Sequence, residues 1–105
     1  MKDPQKDILL VAKVEKNPIG MCMTYVLRDW GYCTGLFVDK QYRGLGIGQT
    51  LMKETAKRLR NRHIDLLSFM VDARNSKTLK FYKKLGFKRG FDSICMYKTL
   101  RRKSS

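Results

Sequence analysis

Between residues 43 and 48 the chain reads Arg-Gly-Leu-Gly-Ile-Gly, a run suited to holding an anion. Glycine removes the side chain that would keep a phosphate away from backbone N–H groups, and it reaches positive φ at little cost. Arg43 adds a charged donor at the start of the run. If the run joins a strand to a helix, unpaired N–H groups and the positive end of the helix dipole meet at one point. Two nucleotide motifs fail on the letters. The dinucleotide pattern GxGxxG begun at Gly44 needs glycine where Gln49 stands, and no GxxxxGK(S/T) run occurs. Further along, Asn75 is followed by Phe81-Tyr82 and Gly86-Phe87. Tyr82 is a phenol with a reference pKa of about 10, protonated at neutral pH and able to donate to a leaving group. Most tyrosines on an inward helical face only pack, so the surroundings must decide its role.

The elements that must position these residues follow from the hydrophobic pattern. Ile8 to Val14 and Ile19 to Leu27 are β-prone runs separated by Glu15-Lys16-Asn17-Pro18, and a break at Arg28 to Gly31 leads into Tyr32 to Val38. The first 38 residues thus predict a three-stranded antiparallel meander. After Gly48 the period changes: Met52, Thr55, Ala56 and Leu59 fall on one face, with Lys53, Lys57 and Arg60 opposite, which predicts an amphipathic helix ending near Arg62. Leu66 to Val71 is nearly all apolar and predicts a strand covered on both faces, parallel to Tyr32 to Val38 through a right-handed crossover. A second helix from Ser76 turns Thr78, Phe81, Tyr82 and Leu85 inward, with Asn75 or Ser76 capping its start and Gly86 its end. Phe87 to Phe91 and Ile94 to Leu100 then predict a hairpin across Asp92-Ser93. The order β-β-β-α-β-α-β-β describes a single α/β (α+β) domain over residues 1–100, a mixed sheet with two helices, followed by a disordered basic tail at 101–105.

A chain of 105 residues holds one small core. Its longest apolar stretches fall well short of the roughly 20 residues of a membrane helix, and no signal core follows Met1, which predicts a soluble, cytoplasmic protein. Three cysteines and one histidine, with no CxxC, predict neither a zinc site nor a disulfide framework; buried reduced thiols are expected at Cys22, Cys33 and Cys95. The net charge of +14 is the unusual number, and only five of the 23 basic residues (Lys2, Lys6, Lys13, Lys16 and Arg28) precede Lys40. Such a chain suits an anionic partner: nucleic acid, ribosome or a phosphate-bearing cofactor.

Phe37 to Gly48, followed by Asn75 to Phe87, resembles the GNAT superfamily of N-acetyltransferases. Arg43, Gly46 and Gly48 meet its phosphate-loop motif Arg/Gln-x-x-Gly-x-Gly/Ala, and Asn75, Phe81, Tyr82, Gly86 and Phe87 meet its helix motif NxxAxxFYxxxGF, with Thr78 in place of alanine. The resemblance covers about Ile8 to Leu100 and implies a mostly antiparallel sheet with a central parallel pair that splays. Acetyl-CoA would enter the gap, its pantetheine arm along Leu36, Phe37 and Val38. Its pyrophosphate would sit on Arg43, Gly44, Leu45, Gly46, Ile47, Gly48 and Gln49. Asn75 would lie beside the arm and Tyr82 near the sulfur, as the acid that protonates the leaving thiolate. An N–H near Val38 could hold the oxyanion formed when an amine attacks the thioester.

Two departures stand out. Polyamine-type relatives carry a glutamate base where this chain has Thr34, and Asp29, Asp72 and Asp92 are candidates from residue type alone. Family members also carry a strand and two helices ahead of the first hairpin, which form a wall of the acceptor site. This chain is expected to start after them, either as a minimal form covered by a second subunit, hence a homodimer, or as a fragment. The expected activity is acetyl transfer from acetyl-CoA to a primary amine, with no metal. The alternatives are a non-catalytic acyl-CoA-binding module and, ranked third, a basic nucleic-acid or ribosome-associated protein.

Overall fold

The computed structural model describes residues 6–90 and 94–100. Strands β1 (Ile8–Val14), β2 (Asn17–Leu27) and β3 (Trp30–Val38) form the meander, and α1 (Ile47–Asn61) crosses over to β4 (Leu66–Ser68). Helix α2 (Ser76–Lys84) follows. The sheet order is β1-β2-β3-β4, antiparallel in the first two pairings and parallel in the third. This is the mixed sheet with one parallel pair that the sequence predicts.

Both hairpin turns are tighter than expected. Glu15 (φ 57°) and Arg28 (φ 55°) take left-handed backbone, so the reversals occupy two residues and the strands grow into the flanking segments. Pro18 lies in β2 opposite Lys13, next to the register shift after Ala12, where its missing N–H breaks the ladder least.

Alternation along the strands sorts side chains to two faces. Ile8, Leu10, Cys22, Val26 and Cys33 meet Leu51, Met52 and Leu59 of α1, and Ile64 closes the core. Gly31 lets α1 approach β3, for a Cβ there would stand 2.6 Å from Leu59 Cδ1. The other face bears Leu9, Val11, Met21 and Tyr25, each at least 41% exposed; β1–β2 register brings Val11 opposite Met21.

The second half departs from expectation. Strand β4 has three residues rather than six, because its pairing with β3 ends at Tyr32 and Ser68 and a strand with no neighbour has no ladder to join. Leu66 and Met70 are exposed, so this run is not covered on both faces. Helix α2 has no fully buried residue; Tyr82 and Leu85 are half-buried and Phe81 is 42% exposed. Asn75 caps it as expected, Oδ1 accepting from the Thr78 N–H at 3.1 Å, and Gly86 turns the chain at φ 96°. The predicted closing hairpin does not form among the described residues: 87–90 and 94–100 carry no strand, and Ile94, Met96, Tyr97 and Leu100 are more than 80% exposed. With β4 only three residues long, these strands find little edge to extend. Residues 91–93, the tip of that hairpin with Asp92, and the tail 101–105 lie outside the described residues. Cys95 is exposed, against the expectation of burial, because it belongs to this unpacked segment.

Candidate active site

The site is built where β3 and β4 part. Trp30, Gly31 and Tyr32 pair with Leu66, Leu67 and Ser68, and from Cys33 to Val38 β3 retains β2 on one side while its other edge faces the gap. The Trp30 indole N–H donates to Ser68 Oγ at 2.5 Å and the ring meets Tyr32 edge-on, clasping the two strands at the floor of the divergence. A bulge falls at the same level: Thr24 pairs with Cys33 but Met23 with Gly35, leaving Thr34 as the extra residue.

At the far end of β3 the chain makes a 3₁₀ turn, Lys40–Tyr42, and enters the glycine run. Gly44 (φ 83°) and Gly46 (φ 81°) hold left-handed backbone, and a Cβ on either would meet nothing within 4 Å. The space above them is open. Gly46 caps α1 with no side-chain hydrogen bond, and the first return bond within the helix is the Thr50 N–H to Gly46 O at 3.0 Å. The N–H groups of Ile47, Gly48 and Gln49 are thus left to face an incoming acceptor. Gly48 differs from Gly44 and Gly46, since a Cβ there would come into ordinary contact with Leu36 and Val38 of β3, at 3.6 and 3.8 Å. Arg43 turns back, its Nε–H donating to Val38 O at 3.0 Å, which staples the loop to the strand end. The guanidinium is anchored through Nε in a way the letters did not reveal.

Phe37 points to the opposite face and is 66% exposed, as Leu45 is at 70%. What Leu36, Phe37 and Val38 share is a backbone edge along the gap, the feature an extended amide-bearing arm can use.

Asn75 and Tyr82 lie seven residues apart, two helical turns, on one face of α2. Tyr82 packs against Phe69 (centroids 4.3 Å), Phe81 (5.1 Å) and Phe87 (5.7 Å), a cluster that joins α2 to the segment after β4. Burial, with electrostatic repulsion from the nearby Cys33 and Cys22 pair, pushes the Tyr82 phenol above its ordinary range. The group therefore stays protonated.

No carboxylate stands in the glutamate position of polyamine-type relatives. Thr34 Oγ1 lies 3.5 Å from Met23 O. Asp72 is bound to Arg74 at 3.0 Å on the surface, where hydrogen bonds from Arg74 hold its carboxyl below the usual range. Asp29 sits in the β2–β3 turn, at the opposite end of β3 from the glycine loop.

The profile of the acetyltransferase (GNAT) family matches residues 1–87. The chain belongs to this family. Among curated proteins this GNAT chain is 24% identical over 90 residues to a Bacillus subtilis protein named as a candidate ribosomal protein bS18-alanine N-acetyltransferase, covering 86% of this chain and 59% of that one. It spans about three-fifths of that relative's length. Among solved structures it superposes on an aminoglycoside acetyltransferase from an uncultured soil metagenomic sample with a TM-score of 0.80 and 23% identity, over 90% of this chain and 66% of the other. An aminoglycoside N-acetyltransferase in complex with CoA gives a TM-score of 0.77 at 18% identity, over 87% of this chain and 75% of that one. The splayed GNAT sheet thus stands here with its strand pair, its glycine turn and its second helix in sequence order.

Proposed function

We propose that this chain is an acetyl-CoA-dependent N-acetyltransferase that moves the acetyl group directly onto a primary amine. The observation that carries the reading is the uncapped start of α1 behind two left-handed glycines, a cradle open to solvent and suited to an anion. The CoA bound in the aminoglycoside N-acetyltransferase neighbour supports the same ligand. The Ile47, Gly48 and Gln49 N–H groups and the Arg43 Nη groups would hold the pyrophosphate, and the free edge from Leu36 to Val38 would take the arm. Asn75 keeps an amide N–H₂ for the arm while its Oδ1 caps α2. Tyr82, held protonated by burial, would return a proton to the departing thiolate as the amine nitrogen bonds to the acetyl carbon. With no carboxylate at Thr34, the acceptor arrives as the neutral amine or loses its proton to water.

The charge narrows the acceptor. At +14 the protein repels small polycations at long range and attracts an acidic peptide or protein, within the ~8 Å reach that physiological salt leaves. An amine on an acidic peptide is the proposed substrate. Three free thiols fit a reducing, cytoplasmic setting. The exposed apolar row Leu9, Val11, Met21 and Tyr25 supports a homodimer that covers it; light scattering at micromolar concentration checks this, and a monomer mass refutes it.

The deciding experiment follows thiol release from acetyl-CoA across a panel of acidic peptides, neutral peptides and polyamines. Release that depends on the amine, fastest with acidic peptides, is expected. Acetyl-CoA binding with no release for any amine identifies a non-catalytic acyl-CoA-binding module instead.

A further inference from the structure

Cys22 on β2 and Cys33 on β3 have no part in acetyl transfer, yet their sulfurs lie 3.7 Å apart in the core, 0% and 6% exposed. The surroundings are polar for a core. Thr55 Oγ1 stands 3.5 Å from Cys22 Sγ, and the Cys33 thiol reaches Gly35 O at 3.6 Å. Thr24, the register partner of Cys33, is fully buried beside the two thiols.

We infer that Cys22 and Cys33 are a redox-modifiable pair that closes to an intramolecular disulfide on two-electron oxidation by a hydroperoxide, fixing the bulge at the floor of the strand divergence. Bonding at about 2.05 Å requires the sulfurs to approach by roughly 1.7 Å. The slack is local: the register slips between Met23 and Thr24, and Thr34 is the extra residue next to Cys33. Hydrogen bonding from Cys33 draws the Cys22 thiol down to about 6 against the opposition of burial, with Thr55 and Thr24 adding to it, and the same pairing holds Cys33 far above the thiol range. The pairing favours the thiolate at Cys22 over Cys33, and the thiolate is the reactive form.

In the first step the thiolate attacks one peroxide oxygen, the O–O bond breaks, and hydroxide leaves to take up a proton. In the second the other thiol attacks the sulfenic sulfur, the S–O bond breaks, and water departs as the S–S bond forms. The peroxide gains the two electrons that the thiols lose. The disulfide ties β2 to β3 beside the edge where the arm of the acyl donor is proposed to lie, so thiol state and donor binding are linked.

The test uses the full chain carrying Cys95→Ser, which removes the exposed thiol that would join two molecules. After hydrogen peroxide treatment, mass spectrometry should find the loss of two hydrogen atoms and a Cys22–Cys33 linked peptide, both reversed by dithiothreitol. Amide exchange at Thr34 and Gly35 should slow at least ten-fold in the oxidised form. Cys22 or Cys33 stopping at sulfenic acid, or a linked protein whose bulge exchanges as before, overturns the inference. Neither readout needs acetyl transfer, so a failure here is separate from a failure of the proposed activity. Coenzyme A affinity should fall several-fold on oxidation, and equal affinities overturn the link to donor binding.

Discussion

Replacing Gly46 by Asp and by Asn separates the two properties of the glycine turn. At φ 81° and with no side-chain cap, this residue sits at the start of α1, and an added Cβ meets nothing within 4 Å. Both replacements fit the space, and both tolerate left-handed backbone better than other residues with a Cβ, for which that conformation costs roughly 1–2 kcal/mol. Either is also a good helix cap, which offsets part of the strain. Both should therefore fold, melting within a few degrees of the parent. They differ by one negative charge placed where the diphosphate is proposed to sit. At about 5 Å, with an effective dielectric between about 20 and 80, each opposing phosphate charge loses roughly 1–3 kcal/mol, a factor of about 5 to 150 in affinity. Calorimetric titration with coenzyme A should therefore show Asn somewhat weaker than the parent and Asp weaker again by at least five-fold. Equal affinities for Asp, Asn and parent, in proteins that all fold, would refute the assignment of the turn as a diphosphate site.

Tyr82→Phe should lower the acetyl-transfer rate with little change in acetyl-CoA affinity, read by steady-state kinetics and calorimetry on the same sample; unchanged turnover removes Tyr82 from the mechanism. Because burial raises this phenol above its usual range, the protonated, donating form persists to higher pH. The rate of the parent should rise with pH as the acceptor amine deprotonates, and should not fall before about pH 10, the ordinary tyrosine value. Gly31→Ala puts a methyl group 2.6 Å from Leu59 Cδ1, and Leu59 is 1% exposed with nowhere to retreat. A loss of about 1–3 kcal/mol is expected from overpacking, measured by urea unfolding. Asn75→Ala removes the cap of a helix that has no fully buried residue, so about 1 kcal/mol of helix stability should go, seen as faster amide exchange at Thr78.

The sequence by itself determined the parts whose signals are local. β-prone runs bounded by turn residues marked the three strands of the meander, period 3.6 marked α1, and Asn75 and Gly86 marked the ends of α2, because turns, caps and periodicity depend on neighbours within one or two turns. The glycine run between strand and helix was legible for the same reason, and it carried both the family resemblance and the proposed anion site. Where pairing between distant segments decides the outcome, the letters misled: Leu66 to Val71 reads as a strand, but only Leu66–Ser68 has a neighbour to bond. The closing segments have β-prone letters and no edge long enough to receive them. Tertiary structure alone brought Cys22 to Cys33, Arg43 to the Val38 carbonyl and Trp30 to Ser68. The first and last of these contacts are set by strand register, and a slip of one residue would turn those side chains to the other face. It also decided that Gly31 is required for a close helix approach, since what a glycine makes room for lies 28 positions further along the chain, at Leu59.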